Sequence, residues 1–89
     1  MQINKDFTIQ KVGAAYVAVA VGETSKKFHG MIRLNETGAF IWNKLAEKDC
    51  TEADLVDALL EEYELTREVT ERDVHKMVED LKKYPVLIK

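Results

Sequence analysis

The sequence is poor in the residues that staple small proteins or carry catalysis. It has one cysteine, Cys50, so no internal disulfide can form, which suits a reducing cytosol. No run of about 18 apolar residues is present, so no membrane-spanning segment is predicted. The start lacks an apolar stretch behind a basic one, so no secretory signal is expected. These absences together predict a cytoplasmic protein without a membrane partner.

Cofactor and metal motifs are also absent. The four glycines form neither a GxGxxG nor a GxxxxGK[ST] loop, so no phosphate cradle is evident. His29, His75 and Cys50 stand at no recognised ligand spacing, and ordinary structural roles account for them. The carboxylates fall on exposed helix faces, whereas acid–base catalysis needs them in a desolvated cleft. The sequence therefore predicts a protein that is not an enzyme and that holds no cofactor or metal.

The charge balance weighs against nucleic acid. There are 16 acidic and 13 basic residues, a net charge of −3, whereas a nucleic-acid binder is more often clearly basic. With 46% hydrophobic residues the chain has enough apolar side chains to fold rather than stay disordered. Its 89 residues predict a single domain over positions 1–89.

The first third of the chain has the two-residue period of strands. Phe7–Val12 alternates apolar and polar residues, and Gly13 ends the run as a turn residue. Residues 15–21 are apolar on both faces, as in a central strand. A polar turn over 22–27 leads to a third strand predicted over 28–34, with Gly30 marking a place where another backbone can approach. Short connections favour a meander whose last strand is an edge with unpaired backbone groups.

Beyond this point the period becomes helical. Asn35 is a natural N-cap for a first helix that carries Trp42 on its apolar stripe and that residues 44–49 close. Thr51 caps a second helix, with Asp54 at the capping-box position. Cys50 and Leu55 are placed as its hydrophobic staple.

The third helix shows the same pattern further along. Thr70 is predicted to cap it, Asp73 to complete the capping box, and Pro85 to stop it. Residues 65–69 are then the preceding loop. The apolar residues 86–88 either pack back on the core or add a strand turn.

Three features leave two interpretations open. Met77 suits core packing or an adaptable binding groove, and Met31 suits either equally, because it lies opposite the core-like face of an edge strand. The acidic face of the second helix suits a solvated surface or a docking surface.

The junction between strands and helices resembles a known family. Residues 34–42 read Leu-Asn-Glu-Thr-Gly-Ala-Phe-Ile-Trp, which is similar to the LN-x-T-[AG]-xx-IW signature of the PqqD-like family. The similarity continues through the second helix with its Tyr63 and through residues 69–81, and so covers nearly the whole chain. The resemblance implies an α+β, winged-helix-like fold in which a three-stranded antiparallel sheet is followed by three helices.

The resemblance also implies a function. Members of this family are recognition elements for ribosomally made, post-translationally modified peptides (RiPPs), including the precursor of pyrroloquinoline quinone. They bind the leader of the precursor peptide as a strand added to the third strand, against the third helix. They then present it to a modifying enzyme, such as a radical SAM enzyme, a cyclase or a protease. Carried onto this chain by element, the implied peptide-binding residues are Phe28, His29, Gly30, Met31, Ile32, Arg33, Val74, Met77, Val78, Leu81 and Lys82.

Charge and packing leave alternatives to this function. Arg33, Lys76 and Lys82 suit acidic side chains of a leader. A winged-helix regulator that binds DNA is the main alternative, although the acids of the third helix offset its bases. A structural interaction module without a peptide role is another. An edge strand also permits a monomer or an edge-paired or swapped dimer.

Overall fold

A computed structural model describes residues 1–88 of the chain. Its sheet contains β1 (Phe7–Val12), β2 (Ala15–Ala20) and β3 (Met31–Leu34), antiparallel and in the order β1-β2-β3. Three helices follow: α1 (Glu36–Glu47), α2 (Glu52–Glu62) and α3 (Arg67–Leu81). The predicted α+β order of an antiparallel meander and then three helices is confirmed. The segment between β2 and β3, predicted as a simple turn, forms a short 3₁₀ helix, Gly22–Lys26.

The third strand is shorter than the strand predicted from the sequence pattern over residues 28–34. It starts at Met31, so the expected strand residues 28–30 lie outside it. The cause is a competing backbone bond, because the N–H of Phe28 donates to the carbonyl of Thr24 at 2.9 Å. The Phe28 ring then packs 5.7 Å from that of Phe7. Glycine at position 30 fits the close approach of the Phe28 ring, since a Cβ there would lie 3.3 Å from that ring and make a tight contact.

The caps predicted for the first two helices are confirmed. Asn35 Oδ1 accepts the backbone N–H of Gly38 at 2.8 Å. Thr51 and Asp54 form a reciprocal capping box, with bonds of 3.0 and 3.1 Å. Each cap satisfies N–H groups that the helix itself leaves unpaired.

The predicted start of the third helix is wrong by one turn. The N-cap is Thr66, whose Oγ1 accepts the N–H of Val69, and the helix runs from Arg67. Thr70, the predicted cap, is inside the helix and only 2% exposed, and its hydroxyl donates to the Thr66 carbonyl at 2.7 Å. Arg67 also pairs with Asp57 of α2 at 3.2 Å. Tertiary contacts therefore support an extra turn that the local sequence does not demand.

The helices cover one face of the sheet and form the core with it. Trp42 is 2% exposed, as predicted for a core residue, and lies edge-on to Phe7 at 6.1 Å. Both predictions for the C-terminal residues find support. Val86 packs back, since it is fully buried and its carbonyl accepts the N–H of Asn4, and Leu87 forms an isolated antiparallel β-bridge with Ile3. Within the described part of the chain, no helix has the length and apolar character needed to cross a membrane.

Candidate functional site

A groove of about 870 Å³ opens between β3 and α3. β3 pairs with β2 along one edge, and among residues 1–88 no strand covers its other edge. The residues that line the groove come from β3, the start of α1, the α2–α3 connection, α3 and the turn after it. They are Met31, Ile32, Arg33, Leu34, Asn35, Thr37, Gly38, Ile41, Leu59, Leu65, Val69, Thr70, Asp73, Lys76, Met77, Asp80, Leu81, Lys83 and Tyr84.

The strand side of the groove follows from the pleat of β3. Met31 is 65% exposed and Arg33 is exposed, whereas Ile32 between them is buried against the helices. A four-residue edge strand of this kind has backbone N–H and C=O groups directed away from the sheet. The edge can therefore accept an extended chain as a further strand.

The helix side is one face of α3. Asp73, Met77 and Asp80 stand four and three residues apart, so they project along the same side of the helix. Met77 is half-buried, packs on the core and also lines the groove, so core packing is confirmed for it and a role in ligand binding stays a prediction. Exposed aliphatic side chains from Leu65 and Val69, 42% and 40% exposed, add apolar surface near the start of α3.

The groove carries both signs of charge. Asp80 lies 3.5 Å from Lys83, and Asp73 is 4.0 Å from Arg72. Arg33 and Lys76 make no ion pair with any residue of the part that the structure describes. These two cations are consequently available to an acidic ligand.

The structure divides the eleven predicted site residues into three groups. Five of them line the groove: Met31, Ile32, Arg33, Met77 and Leu81. Val74 and Val78 are correctly placed on α3 but face the core, since both are 0% exposed. They support the groove from behind and have no surface to offer a ligand.

The remaining four lie beside the groove rather than in it. Phe28 fills the space between Phe7 and Tyr84, while His29 and Gly30 are exposed ahead of β3. Lys82 pairs with Glu79 at 2.9 Å, and the hydrogen bond and charge of Glu79 raise the pKa of Lys82 above its ordinary value. Its ammonium is therefore engaged on the surface of α3.

Several groove residues were not predicted. Val69 was missed because the third helix was predicted to begin one turn too late, and Leu65 because it lies in the connection before that helix. Tyr84 was missed because it follows the helix, and it reaches the groove by packing edge-on to Phe28 at 5.5 Å. Asp73 and Asp80 share the stripe of Met77, a signal that was available in the sequence.

Catalytic or metal chemistry gains no support from the site. Among the described residues no group of three or more His, Cys, Asp or Glu side chains is placed to hold a metal ion. Cys50 is buried, with Sγ 3.4 Å from the Lys48 carbonyl. The features that remain are an open strand edge and a groove beside it. Both are typical of domains that bind a peptide by adding it to their sheet as a further strand.

Comparison with known proteins identifies the family of the chain. The family model described as coenzyme PQQ synthesis protein D (PqqD) matches residues 16–87, and the chain belongs to the PqqD family. Among curated proteins no match was found.

Two solved structures share the fold. TbiB1 in complex with the TbiA(beta) leader peptide superposes with a TM-score of 0.70 at 24% identity, over 93% of this chain and 90% of that one. Lasso peptide synthetase B1 complexed with the leader peptide gives a TM-score of 0.71 at 24% identity, over 99% and 96% of the two chains.

Proposed function

We propose that this protein is a RiPP recognition element that binds the leader of a precursor peptide and presents it to a modifying enzyme. The observation that carries the proposal is the uncovered edge of β3 beside a groove of about 870 Å³, in a chain of the PqqD family. Support comes from the two proteins of the same fold, both of which hold a leader peptide. In this proposal residues 1–89 act as one non-catalytic domain, in partnership with a radical SAM enzyme, a cyclase or a protease.

The backbone of β3 supplies affinity that depends little on leader sequence. An edge of four residues offers about four backbone hydrogen bonds, each with a net contribution of about 0.5–1.5 kcal/mol. The ordering of four leader residues, at about 1–2 kcal/mol per residue, costs as much as these bonds contribute or more. Useful affinity must therefore come from leader side chains that fill the groove.

The groove specifies the kind of side chain that fits. Met77, Leu65 and Val69 offer apolar surface for aliphatic or aromatic leader residues. Arg33 and Lys76 are exposed cations, so a leader carboxylate beside either one adds about 0.2–1 kcal/mol. We expect a leader segment with apolar residues on one face and an acidic residue next to them.

No observation favours the alternative of DNA binding. Asp73 and Asp80 lie on the same face of α3 as Lys76. A helix that presents both signs to a phosphate backbone releases few counterions on binding.

A titration with the leader of the precursor peptide encoded beside this gene tests the proposal. In ¹⁵N-resolved spectra we expect shifts for the amides of Met31–Leu34 and of the groove side of α3, whereas β1 should be unaffected. Shifts confined to α2, or no saturable shifts at all, would contradict the proposed site.

A pair of variants makes this test quantitative. Met77→Ala removes apolar groove surface and should weaken leader binding about fivefold, equivalent to roughly 1 kcal/mol. Leu60→Ala is the control, since Leu60 is also half-buried against the core but lies outside the groove. Equal losses from the two variants would show that the effect is loss of stability and not loss of a contact.

A further inference from the structure

The sheet has a second face, which is turned away from the helices. Most of the side chains on this face lie outside the groove. In the register of the sheet, Val19 lies between Thr8 and Met31, and Val17 lies between Gln10 and Arg33. We refer to this surface as the outer sheet face. Its members by strand alternation are Thr8, Gln10, Val12, Ala15, Val17, Val19, Met31 and Arg33.

The outer sheet face is apolar where the rest of the surface is charged. Arg33 is its only ionisable member, whereas the exposed sides of α2 and α3 are dense in acids and bases. Val12 is 58% and Met31 is 65% exposed, and Val21, which follows β2, is 38% exposed. Contiguous exposed apolar surface on a small protein commonly marks a site of protein interaction.

We infer that the outer sheet face, widened by the bound leader, is the docking surface for the modifying enzyme; this inference rests on the proposed function. Met31 and Arg33 belong both to this face and to the groove, so the two surfaces are continuous. A leader added to β3 becomes a fourth strand, and every second side chain of that strand joins the outer sheet face. The enzyme then contacts this protein and its substrate at once.

The size of the face favours this partner over a second copy of the chain. Three strands of up to six residues present about 300 Å². A stable interface needs about 800 Å² from each partner. The face alone is thus too small for a lasting dimer, whereas a transient contact with the enzyme needs less area and gains a fourth strand when substrate is bound.

The chemistry of the face defines what the enzyme must offer. Val12, Val17 and Val19 require an apolar patch on the partner. Arg33, which has no ion-pair partner within residues 1–88, suits an enzyme carboxylate beside that patch when the acidic residue of the leader pairs with Lys76 instead.

Two substitutions separate docking from leader binding. Val19→Lys places a charge at the centre of the outer sheet face, on β2 and outside the groove. Val12→Lys does the same at the far edge, where the side chain is already 58% exposed and folding is little affected. Ile88→Lys is the matched control, because Ile88 is 54% exposed but lies outside the three strands and outside the groove.

The experiment measures two affinities for each variant by calorimetry, with the leader and the modifying enzyme encoded beside this gene as probes. For the wild type we expect the enzyme to bind the leader-loaded protein at least fivefold more tightly than the free protein. Val19→Lys and Val12→Lys should keep leader affinity within twofold and weaken enzyme binding at least tenfold and threefold, respectively. Ile88→Lys should change neither affinity.

Three other outcomes would contradict the docking surface, and they can be told apart. Wild-type enzyme affinity in both valine variants, with leader binding intact, overturns the docking surface and leaves the proposed function standing. A stable wild-type dimer in sedimentation that Val12→Lys dissociates also overturns it, since the occupant is then a second copy. Absence of leader binding by the wild type overturns the proposed function and this inference with it.

Discussion

Replacement of Gly38 by alanine should leave the stability of the protein almost unchanged, although alanine is the better helix former. Gly38 is the third residue of α1, where its N–H donates to the capping Oδ1 of Asn35 at 2.8 Å. A Cβ at Gly38 would lie 3.0 Å from that same oxygen and 3.5 Å from Leu34 Cβ. The side chain of Asn35 must therefore move by a few tenths of an ångström and weaken the cap.

The two effects are of similar size and opposite sign. Alanine gains up to about 1 kcal/mol of helix propensity over glycine. Loss of an N-cap side chain costs about 1 kcal/mol. We therefore expect Gly38→Ala to change the free energy of unfolding by less than about 0.5 kcal/mol.

A double-mutant cycle isolates the contact. Asn35→Gly removes the capping side chain at a cost of a few tenths of a kcal/mol. In that background Gly38→Ala should stabilise the protein by about 1 kcal/mol, or raise the Tm by about 4–8 °C. Urea unfolding of the four proteins gives the coupling energy, which we expect to be about 1 kcal/mol. Equal stabilisation by Gly38→Ala in both backgrounds would show that the cap is not what requires glycine here.

Two further predictions concern helix termini. Thr66→Ala should cost about 1 kcal/mol of unfolding free energy because it removes the cap of α3, whereas Thr70→Val, which keeps the buried shape, should cost about half as much or less. A larger loss from Thr70→Val in urea unfolding would contradict the assigned helix start. The hydrogen bonds from the Thr51 backbone N–H and hydroxyl lower the pKa of Asp54 below its ordinary value. Because this pKa is lower in the folded state, the stabilisation is present above the unfolded-state pKa and is lost as the pH falls through the folded one. The stability difference between wild type and Asp54→Asn should thus vanish in acid, once the pH is below the lowered pKa of Asp54, and a difference that persists there would refute the role of the charged form.

Sequence-based predictions were correct where the interacting residues are close together in the chain, and wrong where contacts between distant residues decide the structure. The caps at Asn35 and Thr51 were predicted because the atoms that form them stand within three residues of each other. The third helix was misplaced because Thr66 and Thr70 look alike locally, and the burial of Thr70 decides between them. The shortened β3 depends on the position of Phe28, whose ring packs on Phe7 and Tyr84, both distant in the chain. The polar composition of the connection gives no signal for this packing or for the bond between Phe28 and Thr24.

The same distinction between local and long-range interactions applies to the candidate site. The edge character of β3 and the groove position of Met77 follow from strand order and helical period. Val74 and Val78 were expected on the groove side, but their burial depends on the rotation of α3 about its axis, which only packing against α2 and the rest of the core fixes.

By itself the sequence determined the element order, two of three helix caps, the absence of recognisable catalytic motifs and the resemblance to the PqqD family. Each of these depends on local chemistry or on a contiguous motif. Only the tertiary structure decided which side chains of α3 face β3, where β3 begins, and that Leu65, Val69 and Tyr84 meet Met31 around one groove. Those features require contacts between residues distant in the chain, and the free energy of packing selects among arrangements that local propensity leaves nearly equal.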